Sequence, residues 1–285
     1  MKRIQIIHST VYRYAEPVRF LRHKLYLRPR EGHDIRIESS ALTISPSYAI
    51  DWYRDVYGNS VAAVEFTEPG DQLEIVSTVI VEHYEPVTVT LGPSAPARQF
   101  PLAYDAVEQI DLVPYQTPVF PEDGERLAAW TDDLWLPGPK PDTPTLLATL
   151  AERIVGSLEY VVRNEPGVQS PATTLDRGKG SCRDLATLFI ECCRQRGVAA
   201  RFVSGYLVSA AAVADVATTH AWAEVYLPLA GWRGVDATSG QLVGGQHIAV
   251  AVHRHPEAVP PVSGSFVGSA ATKPKLRVAV EVTQL

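Results

Sequence analysis

The chain changes its hydrophobic period once, and that change limits the folds open to it. From Lys2 to about Glu85, apolar residues recur at roughly every second position in IQIIHSTVYRY, HKLYLRPR, IRIESSALTIS, YAIDWYRDVYGN, SVAAVEFTE and QLEIVSTVIVEHY. Successive side chains of a strand point to opposite faces, so this alternation predicts half-buried β-strands. Gly58-Asn59, between two such runs, reads as a hairpin turn. Six short strands with no helical stretch among them predict an antiparallel β-sandwich. The proline-bearing GPSAPARQFP then reads as a boundary, which puts a first unit at residues 1–95 and a second at 96–285.

Beyond the boundary the period lengthens. PEDGERLAAWTDDLW and TPTLLATLAERIVGSLEYV carry helical spacing, the second with Leu147, Leu150, Ile154 and Leu158 on one side. Strand text returns at Val198–Val208, His220–Leu227, Trp232–Val235, HIAVAVHR and KLRVAVEVTQL. Helices followed by strands make the second unit, and the chain as a whole, α+β. A net charge of -6 gives no reason to expect nucleic acid or an anionic membrane as partner. The apolar runs are too short to span a bilayer, and the N-terminal twenty residues lack the apolar core of a signal peptide. Three cysteines within one helical stretch do not make a disulfide framework, so a cytoplasmic protein with reduced thiols is expected. Nothing in the residues sets an oligomeric state.

Those cysteines all lie in GKGSCRDLATLFIECCRQRGV, residues 178–198. Ser181 is a good N-cap, and Asp184 three positions on makes a variant of the capping box. Leu185, Ala186, Phe189, Cys192 and Cys193 form an apolar stripe, and Gly197 closes the helix. Cys192 and Cys193 are therefore core residues. Cys182 differs, because it falls in the first turn, where free N–H groups and the helix dipole favour an anion. A free thiol has a pKa of about 8.5, and such a position lowers it by one to several units, toward the nucleophilic thiolate. The same N–H groups can hold an oxyanion.

A thiolate nucleophile needs a base, and the base needs an orienting group. In TTHAWAEVYLPLAGWRGVDATSG, His220, Trp222, Glu224 and Tyr226 share one strand face. Gly231-Trp232 turns the chain into a second short strand ending at Val235-Asp236. Two antiparallel neighbours joined in this way can put Asp236 beside His220, with one imidazole nitrogen held by the carboxylate and the other facing Cys182.

These segments resemble the transglutaminase-like core, a branch of the papain-like cysteine-enzyme superfamily. The family's G-x-C-R-D is found at Gly180–Asp184, its R-x-x-G-I/V-x-A-R-x-V-x-G-Y at Arg194–Tyr206, its H-A-W-x-E-V-Y at His220–Tyr226 and its closing D-x-T at Asp236–Thr238. PVRFLRHKLYLRPR and DVYGN are similar to the β-rich domain that precedes this core in many bacterial members, so the resemblance covers nearly the whole chain. It implies a catalytic Cys on a helix N-terminus packed on an antiparallel sheet, with Cys182 as nucleophile, His220 as base and Asp236 as orienting group. Ala237 replaces the family's usual proline. The family's G-R-D-x-x-D-V-x-P carries His253, His255 and Ala258 at its Gly and two Asp positions here, a departure that would alter substrate choice if the segment lined the cleft.

The implied chemistry is acyl transfer or hydrolysis at a carboxamide or peptide amide through a thioester, on a protein or peptide substrate. Tyr160 is the candidate second oxyanion donor, with a buried core tyrosine as its alternative, and Trp222 is a candidate cleft wall or a packing residue. Water or a primary amine could accept the acyl group, and a backbone amide or a glutamine side chain could supply it. A catalytically silent scaffold that binds a protein partner is the other reading, since fold alone does not set activity. His253 and His255 with His247 or His220 could suggest a metal, but no Cys-x-x-C or H-E-x-x-H spacing supports one, and DRGKGSC lacks the order of a phosphate loop. With no D-x-[DN]-x-[DN]-G calcium loop either, the activity is expected to need neither metal nor cofactor.

Overall fold

Alternating β-branched and polar residues build the first six strands: β1 (Lys2–Phe20), β2 (His23–Leu25), β3 (Ile35–Ser45), β4 (Tyr48–Arg54), β5 (Ser60–Phe66) and β6 (Gly70–His83). The computed structural model describes residues 1–84, 91, 95–135, 142–163, 165–208, 219–269 and 273–285. Burial in β6 follows the pleat, with Leu73, Ile75, Val79 and Val81 inward. One sheet has the order β3-β6-β1, and a second has the order β2-β5-β4. Val18, Phe20, Leu25, Ile44, Val64, Leu73 and Ile75 from both sheets share one core, as the predicted sandwich requires.

The helical part follows as α1 (Ala95–Arg98), α2 (Ala106–Gln116), α3 (Gly124–Thr131), α4 (Thr143–Ser157), β7 (Glu159–Tyr160), α5 (Pro171–Arg177), β8 (Lys179–Gly180) and α6 (Cys182–Gln195). Besides α1, four of these are absent from the sequence reading. α2 carries Pro114 inside it, and α5, β7 and β8 are too short to show a period. The α1 stretch occupies part of the expected linker, while residues 92–94 fall outside the described residues.

A third antiparallel sheet has the order β12-β11-β10-β9-β13. Its strands are β9 (Ala200–Leu207), β10 (Thr219–Leu227), β11 (Gly231–Asp236), β12 (Gln241–Leu242) and β13 (His247–His253). Ala221, Ala223 and Val225 of β10 share a core with Leu185, Phe189 and Cys193 of α6. The helix is buried on all sides rather than along the predicted stripe alone, with Ile190, Glu191 and Arg194 also inside. Glu191 and Arg194 neutralise each other at 2.6 Å, and Arg194 donates further to the carbonyls of Tyr115, Ala200 and Arg254. Gly197 ends α6 in a left-handed conformation (φ 73°), as expected.

The last strands differ from the expected division at residue 95. β14 (Val262–Ser263), β15 (Phe266–Val267) and β16 (Lys275–Gln284) pair with β2, β1 and β1, so the C-terminus completes the first unit's sheets. The strand text was legible, but its partner was not, since pairing is a long-range choice. The two units also share one core, in which Ile4, Ile6, Val79 and Val81 meet Tyr206, Ile248 and Val250. Polar contacts fasten β13 across this boundary. Buried Asn59 donates to the Val252 carbonyl (2.8 Å) and accepts from its amide (2.9 Å), and the Arg30 amide donates to the Ala249 carbonyl (2.8 Å). No helix among the described residues is long and apolar enough to cross a membrane.

Candidate active site

Cys182 is the first residue of α6 and is half-buried, unlike Cys192 and Cys193. Asp184 shapes this helix start by accepting the Ser181 amide (2.8 Å) and hydroxyl (2.7 Å). It also takes both contacts of Arg163 (2.8 and 2.9 Å) and the Gln169 amide (2.7 Å). Burial alone would raise this carboxyl, but these donors together hold it below its usual range. Asp184 thus pins the loop after β7 to the start of α6, a role its capping position only partly announced. Arg183 serves the same end, donating to the carbonyls of Arg163 and Glu165.

His220 lies near the start of β10, opposite Gly205 of β9. Its Nε2 is 2.8 Å from Asp236 Oδ2, which leaves Nδ1 to face the Cys182 thiol beside it. The structure therefore brings the three sequence-predicted residues into one line. Asp236, at the end of β11, is buried, and its Oδ1 accepts the Thr238 amide at 2.9 Å. Burial alone would lower the pKa of His220, yet the Asp236 and Cys182 partners outweigh it and raise it to about 9. Burial pushes the Asp236 carboxyl up, but hydrogen bonds from His220 and His247 leave it far below the carboxylate range.

The linkage has a definite sign. A histidine whose folded pKa is raised contributes stability that is complete below its unfolded value, about 6.5, and lost as pH rises through about 9. The depressed Asp236 contributes above its unfolded range and loses that only in strong acid. The urea midpoint is therefore expected to fall between pH 7 and pH 9.5 in the parent, and this segment of the curve should flatten in Asp236→Asn. An unchanged slope in the variant would contradict the assignment.

Tyr160 projects from β7, which pairs with β8 just before Cys182, and it is 44% exposed. Burial and the nearby Cys182 and Asp236 raise its phenol pKa, so it stays a neutral O–H donor beside the thiol. Tyr160 thus stands at the open side of the site and is not a core residue. Trp222 has the opposite placement. It is 1% exposed and lies behind the histidines, its ring 5.2 Å from that of His247 and 6.2 Å from that of His220, so it packs and does not wall an open cleft. A Cβ on Gly205 would stand 2.5 Å from the Trp222 ring and 2.3 Å from the Ile248 carbonyl, so only glycine admits the indole there.

Sequence reasoning did not place His247 at this site. From the start of β13, its Nε2 reaches the same Asp236 Oδ2 at 3.2 Å. His220, Asp236 and His247 each offer a ligand atom within 4.8 Å of the others, a set that could hold a divalent ion. Two hydrogen bonds onto one carboxylate oxygen account for the same geometry. His253 and His255 lie elsewhere. His253 closes the far end of β13 against Tyr57 (4.3 Å between rings), so that end of the departed segment abuts the first unit's hairpin loop rather than the thiol.

An antiparallel sheet with a helix tip that presents a Cys–His–Asp line is the architecture of a papain-like cysteine enzyme. The chain belongs to the transglutaminase-like superfamily, with the family's bacterial N-terminal region in front of its core. Residues 4–82 match the bacterial transglutaminase-like N-terminal region, and residues 136–237 match the transglutaminase-like superfamily core. An uncharacterized protein of Mycobacterium tuberculosis is 32% identical over 289 residues, covering 92% of this chain and 87% of its own. Another, from Mycobacterium leprae, is 27% identical over the full length of both chains. The fold is similar to the crystal structure of a candidate cysteine protease from Cytophaga hutchinsonii, with a TM-score of 0.76, 19% identity, and coverage of 100% of this chain and 91% of that one. Family and site together support cysteine-dependent enzymatic function.

Proposed function

We propose that the protein transfers acyl groups from carboxamides or peptide amides of a protein or peptide substrate, through a thioester on Cys182. The observation that carries this reading is the placement of His220, held by Asp236 at 2.8 Å, beside Cys182 at the tip of α6. The thiolate attacks the carbonyl carbon, and the oxyanion is held by the Cys182 amide, the first N–H of the helix, and by the Tyr160 hydroxyl. As the C–N bond breaks, His220 gives its proton to the leaving amine. Water or a primary amine then attacks the thioester and passes its proton to His220, and sulfur leaves as thiolate. The scheme draws only on side chains and backbone amides, so turnover should survive a chelator.

Alkylation of Cys182 with iodoacetamide, followed by peptide mass across pH 5–10, tests the pair. The raised pKa of His220 supports a protonated imidazole beside the thiol at neutral pH. The rate in the parent should stay high well below the pH at which a free thiol reacts, and His220→Ala should lose this acid-side reactivity. An ordinary thiol profile in both proteins would overturn the reading and favour a binding scaffold.

A further inference from the structure

The Asp236 carboxylate has more partners than a three-residue site needs. Oδ1 accepts the Thr238 amide at 2.9 Å, and Oδ2 accepts from His220 Nε2 at 2.8 Å and from His247 Nε2 at 3.2 Å. The Gly244 N–H points at His247 Nδ1 from 3.5 Å. With Nδ1 turned to that amide, Nε2 is the nitrogen that meets Asp236 Oδ2, as a donor to the carboxylate.

The ring is also clamped. Its side chain is 8% exposed, and the Trp222 indole packs edge-on against it at 5.2 Å in the space that Gly205 leaves open. β13, which carries it, is fastened to the first unit through Asn59 and Arg30. A carboxylate held at both oxygens cannot rotate, and the lone pair facing His220 keeps its direction.

We propose that His247 is a positioning residue that holds Asp236, and through it His220, in the orientation needed to pair with Cys182. This rests on the catalytic reading above. His247 acts on the imidazole only through the carboxylate, as an outer partner does in other sites where its loss costs about 10-fold to 100-fold.

His247→Phe keeps an aromatic ring against Trp222 and removes the donor, whereas His247→Gln restores an N–H. The probe is iodoacetamide alkylation of Cys182 against pH in the full chain. His247→Phe should react about 10-fold to 100-fold more slowly than the parent at pH 6 and approach the parent rate at pH 9.5, where the free thiolate no longer needs the imidazolium. His247→Gln should stay within about 3-fold of the parent at both values, a mild change beside that outer-partner loss. If the phenylalanine variant does not fold, His247→Ala carries the same expectation. A purely structural histidine would slow the reaction equally at all pH values, with no rescue by glutamine, and that result overturns the proposal. A phenylalanine profile equal to the parent's, in a parent whose acid-side reactivity depends on His220, overturns the proposal alone. An ordinary thiol profile in the parent overturns it together with the catalytic reading.

Discussion

Cys182→Ala is expected to end acyl-enzyme formation and to lower amide turnover by about 10⁴-fold or more, as loss of a nucleophile does where the reaction runs through it. The measurement is an acid quench of the parent mixed with a library of peptidyl carboxamides, followed by intact mass and peptide mapping. The acyl adduct should map to Cys182 and be absent from the variant. Cys192 and Cys193 cannot substitute, because both are buried among apolar side chains and burial drives their thiols well above the ordinary range. Cys182 is only half-buried in the first turn, so the urea midpoint of the variant should remain close to the parent's. Equal turnover by Cys182→Ala would remove the cysteine from the mechanism.

Arg194→Met is expected to cost about 3–5 kcal/mol of stability, the usual result of stripping one partner from a buried ion pair. Arg194 and Glu191 are both sealed in the core, and Glu191 also accepts the amides of Val119 and Phe120. Without the guanidinium, the Glu191 carboxylate keeps those two donors but loses its counter-charge, and the carbonyls of Tyr115, Ala200 and Arg254 lose their donor. Equilibrium urea unfolding measures the change. Glu191→Gln combined with Arg194→Met should recover part of the loss by removing the unpaired charge, but not all of it, since the three carbonyls stay unsatisfied. A loss below about 1 kcal/mol, the scale of an exposed pair, would mean that water reaches the pair.

The two predictions concern opposite ends of one helix, and its ends differed in how legible they were. The start of α6 was readable because its signals are local. Ser181 and Asp184 are three positions apart, Cys182 lies between them, and the glycines around 178–180 mark the turn. The far end showed only charge. Nothing near Glu191 or Arg194 says that a helix with an apolar stripe will be covered on its other side as well, since that cover comes from α2, α3 and the turn at Val119 and Phe120. The same contrast separates Tyr160 from Trp222. Both were cleft candidates by proximity to the motif, and tertiary packing exposed the first beside the thiol and buried the second behind it.

By itself the sequence determined the longer strands and helices, the helix-tip cysteine, and the places of His220 at the start of one strand and Asp236 at the end of the next. Each of these depends on period, capping or a turn, all of which act over a few residues and leave a pattern in the text. Tertiary structure alone decided that β16 would pair with β1, that one core would join the two units, and that His247 would come from another strand to the Asp236 carboxylate. Those outcomes depend on which surfaces meet after loops of very different length have closed. A single histidine ahead of a strand carries no mark of the carboxylate it will reach.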